Sequence, residues 1–158
     1  MRVRPLIQSV LLLLLGASLL VWALDLRGGT RPANAPAAAE QAVLADGLAV
    51  LNFHGTRRCK TCVRIGELAE ATVRERFGAA LRSGQLQWLS LDFDQPQWAH
   101  YKQDYGLVSS NVVVVRRVAG RDAAWQRLDQ VWDHAKDEPV FRRYVGDAIA
   151  AEWAALAR

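Results

Sequence analysis

The chain contains two cysteines, set three positions apart as Cys59-Lys60-Thr61-Cys62. A pair at this spacing can form a reversible disulfide, hold a soft metal, or staple a loop. The surrounding residues weigh against a staple and against a zinc or haem centre. Closing so short a loop removes little entropy from the unfolded chain, so a purely structural staple has little to offer. A zinc centre needs two further ligands, and none of His54, His100 and His134 lies at ligand spacing to another. A c-type haem attachment needs histidine at position 63, where Val63 stands. Thiol–disulfide exchange remains as the leading chemistry. Capture of a soft metal or metalloid by the same dithiol, with Cys59 and Cys62 as ligands, is the alternative.

The elements on either side of the pair decide how it would work. Leu48-Ala-Val-Leu-Asn-Phe-His54 predicts a short apolar strand between Gly47 and Gly55. From Lys60 to about Leu81 the pattern is helical, with Cys62, Ile65, Ala69, Val73, Phe77 and Ala80 on one face. Gly66 weakens that helix by about 1 kcal/mol relative to alanine, which implies a packing reason for it. The dithiol therefore falls at a helix N-terminus, where unpaired N–H groups and the helix dipole favour an anion. Arg57, Arg58 and Lys60 add positive charge around Cys59. Both effects favour thiolate, so Cys59 is expected to titrate below the ~8.5 of free cysteine and to act as nucleophile. Cys62, one turn inward, resolves the mixed disulfide. His54, at the end of the strand, either shuttles a proton for the pair or orients it through backbone hydrogen bonds. His100 and His134 read as solvated or capping residues.

Further along, Leu86 to Phe93 predicts a second strand, and Gln95-Pro96 opens a short helix that runs to Tyr105-Gly106. Val112 to Val115 is a β-branched run, as in a strand buried on both faces. A turn over Val118 to Arg121 leads to a strand from Trp125 to Val131. Asp137-Glu138-Pro139 starts a last helix whose buried face is Phe141, Val145, Ile149, Trp153 and Leu156. The order is β-α-β-α-β-β-α, an α/β three-layer sandwich.

Leu6 to Leu24 is almost wholly apolar. Its nineteen residues reach about 28 Å as a helix, enough for a hydrocarbon core of ~30 Å. Arg2 and Arg4 precede it, which leaves residues 1–5 in the cytoplasm and exports the rest. A cleaved signal peptide competes, with Val21-Trp22-Ala23 before the cut, but the stretch exceeds the usual apolar region of about 7–15 residues. The expected organisation is a cytoplasmic 1–5, an anchor over 6–24, a flexible linker over 25–42 and a folded domain over 43–158. Ala37 to Leu44 has the composition to start a short helix. The domain then lies on the periplasmic side of the inner membrane, in a compartment that permits disulfides.

A net charge of +4 in 158 residues, with arginine interspersed among acids as in Arg74-Glu75-Arg76, describes solvated helix faces and excludes a nucleic-acid stripe. The six tryptophans form no aromatic ladder. No flavin or nicotinamide motif is present, so no cofactor is expected beyond the disulfide itself.

Leu89-Ser-Leu-Asp-Phe-Asp-Gln95, Tyr105-Gly-Leu107 and the valine run resemble the central half of thioredoxin in order and spacing, over roughly Leu48 to Val131. More narrowly, Phe53-His-Gly-Thr-Arg-Arg-Cys-Lys-Thr-Cys62, Tyr105-Gly-Leu-Val-Ser-Ser110 and Val131-Trp132 resemble a small membrane-anchored thioredoxin-like family. That family is known as the ArsF-type subunit of a nitrophenyl-compound nitroreductase. The resemblance implies reductive handling of nitroaromatic compounds, aromatic arsenicals included. This chain would relay electrons to a protein redox partner, either a membrane donor or a reductase subunit. A metalloid carrier would instead hand its cargo to an efflux permease. Thioredoxins place a cis-proline opposite the dithiol, and Ser110 or Asn111 takes that position here, where a trans peptide is expected. The missing proline weakens the reading as ordinary exchange with protein disulfides and raises that of metalloid binding. The tryptophan before the first cysteine is replaced by Arg58, and the buried acid behind the pair has Asn52 as its nearest polar counterpart.

Overall fold

Seven consecutive buried residues, Leu48 to His54, make the first strand the centre of the domain. The computed structural model describes residues 44–156. The expected cytoplasmic end (1–5), anchor (6–24) and linker (25–42), and nearly all of the short helix expected from Ala37, lie outside the described residues. Among the described residues no helix is long and apolar enough to cross a membrane.

The elements are β1 (Gly47–His54), α1 (Lys60–Arg82), β2 (Leu86–Asp92), α2 (Tyr101–Asp104), β3 (Asn111–Val118), β4 (Arg121–Arg127), α3 (Val131–His134) and α4 (Glu138–Leu156). The sheet order is β2-β1-β3-β4. β1 pairs parallel to β2, with His54 opposite Asp92, and antiparallel to β3, with Phe53 opposite Asn111. A parallel pair joined through a long helix and an antiparallel hairpin closed by a last helix give an α/β fold with a mixed sheet. This is consistent with a thioredoxin-like arrangement.

Alternation along the strands divides the core into two layers. On one face Leu48, Val50, Val112 and Val114 pack with Ile65, Ala69 and Val73 of α1 and Phe141, Val145 and Ile149 of α4. On the other face Ala49, Leu51, Phe53, Val113 and Val115 meet Tyr101, Tyr105 and Leu107. The valine run is buried on both faces, as its composition predicts. Asp137 accepts the N–H of Val140 at 3.2 Å, so the acid at the head of α4 serves as its cap.

Several boundaries differ from expectation. Thr72 and Leu68 join the buried face of α1, the Thr72 hydroxyl being satisfied by the Leu68 carbonyl at 2.7 Å. The same helix breaks locally at Phe77 (φ −124°, ψ 19°), just before Gly78, where helix propensity is lowest. Of the helix expected between Gln95 and Tyr105 only Tyr101–Asp104 is helical. The preceding residues form turns, in which the carboxylate of Asp92 binds the N–H of Asp94 and the amide of Gln95. The fourth strand starts at Arg121, directly after a two-residue turn in which Ala119 (φ 53°) and Gly120 (φ 72°) are left-handed. It ends at Arg127, and Val131 belongs to a short helix instead.

Candidate functional site

The carboxyl end of β1 delivers the chain to the start of α1 through Gly55 to Arg58, and the dithiol sits at that junction. Cys59 and Cys62 are joined as a disulfide, with Cα atoms 5.0 Å apart. Cys59 is the N-cap of α1. Its backbone is extended, and its sulfur accepts the N–H of Cys62 at 3.0 Å. A sulfur atom thus occupies the place usually taken by a serine or aspartate oxygen. The two sulfurs differ in access, since Cys59 is exposed and Cys62 half-buried.

Gly66, one turn deeper, has the packing reason that its position predicts. A Cβ there would lie 2.7 Å from Nδ2 of Asn52 on β1. Asn52 is buried and donates to the Ser90 hydroxyl at 2.9 Å, which ties the centre of β1 to β2 beneath the dithiol helix. The glycine lets α1 approach β1 closely at Asn52.

His54 is buried, and both of its ring nitrogens are engaged. Nδ1 lies 3.1 Å from the Gly55 carbonyl, and Nε2 meets the Arg58 guanidinium. A carbonyl can only accept and a guanidinium can only donate, so these partners select the neutral Nδ1–H tautomer. Arg58 is thereby held to the end of β1, beside the first cysteine. Arg57 and Lys60 are exposed.

The loop before the dithiol is fastened to the end of β2. Thr56 donates its hydroxyl to Asp92 at 2.7 Å and its N–H to Asp94 at 3.0 Å. Lys102 completes the set with a 2.8 Å bond to Asp94. The Thr56 hydroxyl, chief among several donors, holds the Asp92 carboxyl below its usual range. The Lys102 ammonium does the same for Asp94.

An open cleft of about 380 Å³ runs beside Cys62, lined by Thr56, Arg57, Phe93, Asp94, Ser109, Ser110 and Trp132 among others. The Trp132 indole donates to the Ser110 carbonyl at 2.8 Å and fixes this wall. Asn111 begins β3 and is buried, with its amide directed to Asp129 at 3.1 Å and its Oδ1 accepting the Val112 N–H. Of the loop that precedes β3, Ser109 and Ser110 are the residues that face the cleft with Cys62. No peptide bond among the described residues is cis.

Cys59, Cys62, His54, Arg57, Arg58 and Lys60 lie together at one end of β1. Asn111 is adjacent in the sheet but committed to Asp129. Thr56, Asp92, Asp94 and Trp132 complete the site and are not marked by periodicity. A threonine two residues past a strand end, and two acids at the end of the neighbouring parallel strand, are the signals that could have found the first three. Among the described residues no group of three or more His, Cys, Asp or Glu side chains is placed to hold a metal ion. The chain matches no family model and no curated protein.

Proposed function

We propose that this chain is a membrane-anchored thiol–disulfide oxidoreductase of thioredoxin-like type, working through Cys59 and Cys62. The observation that carries the reading is the bonded pair at the head of α1, with Cys59 exposed and its sulfur receiving a helix N–H. In the oxidised form a thiolate of the partner attacks Cys59 Sγ, and Cys62 leaves as a thiolate that takes up a proton. The partner's second thiol then loses its proton and attacks the mixed disulfide, releasing the Cys59 thiolate. Two electrons and one proton pass to the domain, which ends with Cys62 as a thiol and Cys59 as a thiolate, while a disulfide forms in the partner. The reverse sequence, opened by Cys59, returns them.

The helix N-terminus and the cations at Arg57, Arg58 and Lys60 favour the Cys59 thiolate as nucleophile and as leaving group. His54 acts as the residue that orients Arg58. The anchor over 6–24 places the domain on the periplasmic face of the inner membrane. The family resemblance makes it an electron-relay subunit for nitroaromatic or aromatic-arsenical reduction, with a membrane donor or reductase subunit as partner.

The reduction potential of the full-length chain, titrated against glutathione with and without arsenite, tests the reading. A two-electron transition within the physiological range is expected. A dithiol that stays reduced across that range yet binds arsenite tightly would overturn it in favour of a metalloid carrier.

A further inference from the structure

Several cations on this domain are already matched. Arg64, Arg74, Arg76, Arg116, Arg127 and Arg142 each face a carboxylate. Arg57 and Lys60 are exposed on either side of Cys59, and neither has a hydrogen bond or ion pair among the described residues. The nearby acids do not balance them. Asp94 is paired with Lys102 at 2.8 Å, and Asp92, whose hydrogen bonds come from neutral donors, keeps one negative charge against Arg57, Arg58 and Lys60. Arg58 keeps its charge against a neutral imidazole. The surroundings of the exposed sulfur therefore carry an excess of positive charge.

The loop before β3 differs in chemistry. Val108 is 98 % exposed and directly precedes Ser109 and Ser110, which line the cleft beside Cys62. An aliphatic side chain at that exposure gains by being covered, roughly in proportion to the apolar area removed from water.

Resting on the exchange reading above, we infer that the redox partner is a protein whose reactive cysteine is flanked by acidic residues and followed by an apolar side chain. The acids meet Arg57 and Lys60, and the apolar group meets Val108. Opposite charges at a rim raise the encounter rate and suppress wrong partners more than they add to affinity. The partner's thiolate attacks Cys59 Sγ and displaces Cys62, as written above.

The test uses the oxidised full-length chain in detergent and three reduced two-cysteine peptides. These share a leucine after the first cysteine and differ only in acidic, neutral or basic flanking residues. Each exchange rate is divided by the same peptide's rate with an uncharged aromatic disulfide. That removes the effect of the flanking charge on the peptide's own thiol. At low salt the acidic peptide is expected to exceed the basic one by roughly tenfold. The ratio should shrink as salt shortens the screening length. In the Arg57→Gln/Lys60→Gln variant it should fall toward one. Val108→Ser should slow all three peptides alike, by roughly threefold.

Equal normalised rates at low salt, or a ratio that survives the double variant, overturn the charge preference while leaving the exchange reading intact. Unchanged rates in Val108→Ser overturn the apolar contact. Reduced glutathione, normalised in the same way, outpacing the acidic peptide would replace the protein partner with a small anionic thiol and overturn the proposal. No exchange with any peptide would sink the exchange reading and this inference together.

Discussion

The backbone N–H of Cys62 points at the sulfur of Cys59, 3.0 Å away. That bond distinguishes the two cysteines in the same sense as their place at the helix N-terminus. A helix N–H aimed at one sulfur stabilises negative charge there, and the same sulfur is the exposed one. Cys62→Ser is therefore expected to accumulate mixed disulfides with partner thiols, and Cys59→Ser to lose exchange. Trapping followed by mass spectrometry checks both. Full exchange by the Cys59→Ser chain would reverse the assignment.

Gly66→Ala puts two effects in opposition. Alanine is the better helix former by about 1 kcal/mol. Its methyl group, however, would stand 2.7 Å from Asn52 Nδ2, on a strand fixed from both sides. Overpacking of this kind costs roughly 1–3 kcal/mol, so net destabilisation is expected in denaturant unfolding. The loss should be smaller in an Asn52→Ala background, because the clashing amide is gone. Additive losses would place the strain elsewhere.

The legible parts of this fold are those in which apolar burial has a period. Val112 to Val115 and the Phe141, Val145, Ile149 face are found correctly for that reason, and so is the placing of the dithiol between a strand and a helix. The polar half of the site is not legible in this way. Thr56 meets Asp92 and Asp94 across 36 and 38 positions, and Trp132 reaches the Ser110 carbonyl across 22. Single hydrogen bonds at such separations leave no repeat in the sequence. Short elements fail for a related reason. The four residues of α2 and of α3 are too few to show a helical period, and Val131 next to Trp132 is as suited to a strand as to a turn of helix.

The Thr56 fastening makes an acid-sensitive contact. The Asp92 and Asp94 carboxyls are both held below their usual range in the folded chain. Between those folded values and the ~3.9 of an unfolded aspartate, the unfolded chain binds more protons. Their stabilisation is thus complete above about pH 4 and is lost as pH falls through the folded values. Thr56→Val removes the chief donor to Asp92. The variant should be less stable than the parent at neutral pH, and the two should converge in acid. Urea midpoints at a series of pH values measure this. A gap that stays constant down to the most acid conditions would exclude Asp92 as its source.

His54 offers a test that separates proton transfer from positioning. Its Nδ1–H is turned to the Gly55 carbonyl and its Nε2 lone pair to Arg58, so neither nitrogen is directed to a sulfur. If His54 works by holding Arg58 beside Cys59, a side chain that can accept from the guanidinium should suffice. Glutamine has such an oxygen and cannot carry a proton at neutral pH. His54→Gln should then exchange at close to the parental rate. His54→Leu and Arg58→Met should both move the pH–rate profile upward, by roughly 0.5 in pH or more, because a cation near the thiolate is no longer fixed. A general acid–base role predicts the opposite pattern. His54→Gln would lose about 100-fold or more along with one limb of the profile, and Arg58→Met would keep both. The glutamine variant decides between them, since it preserves the hydrogen bond and removes the proton carrier in one substitution.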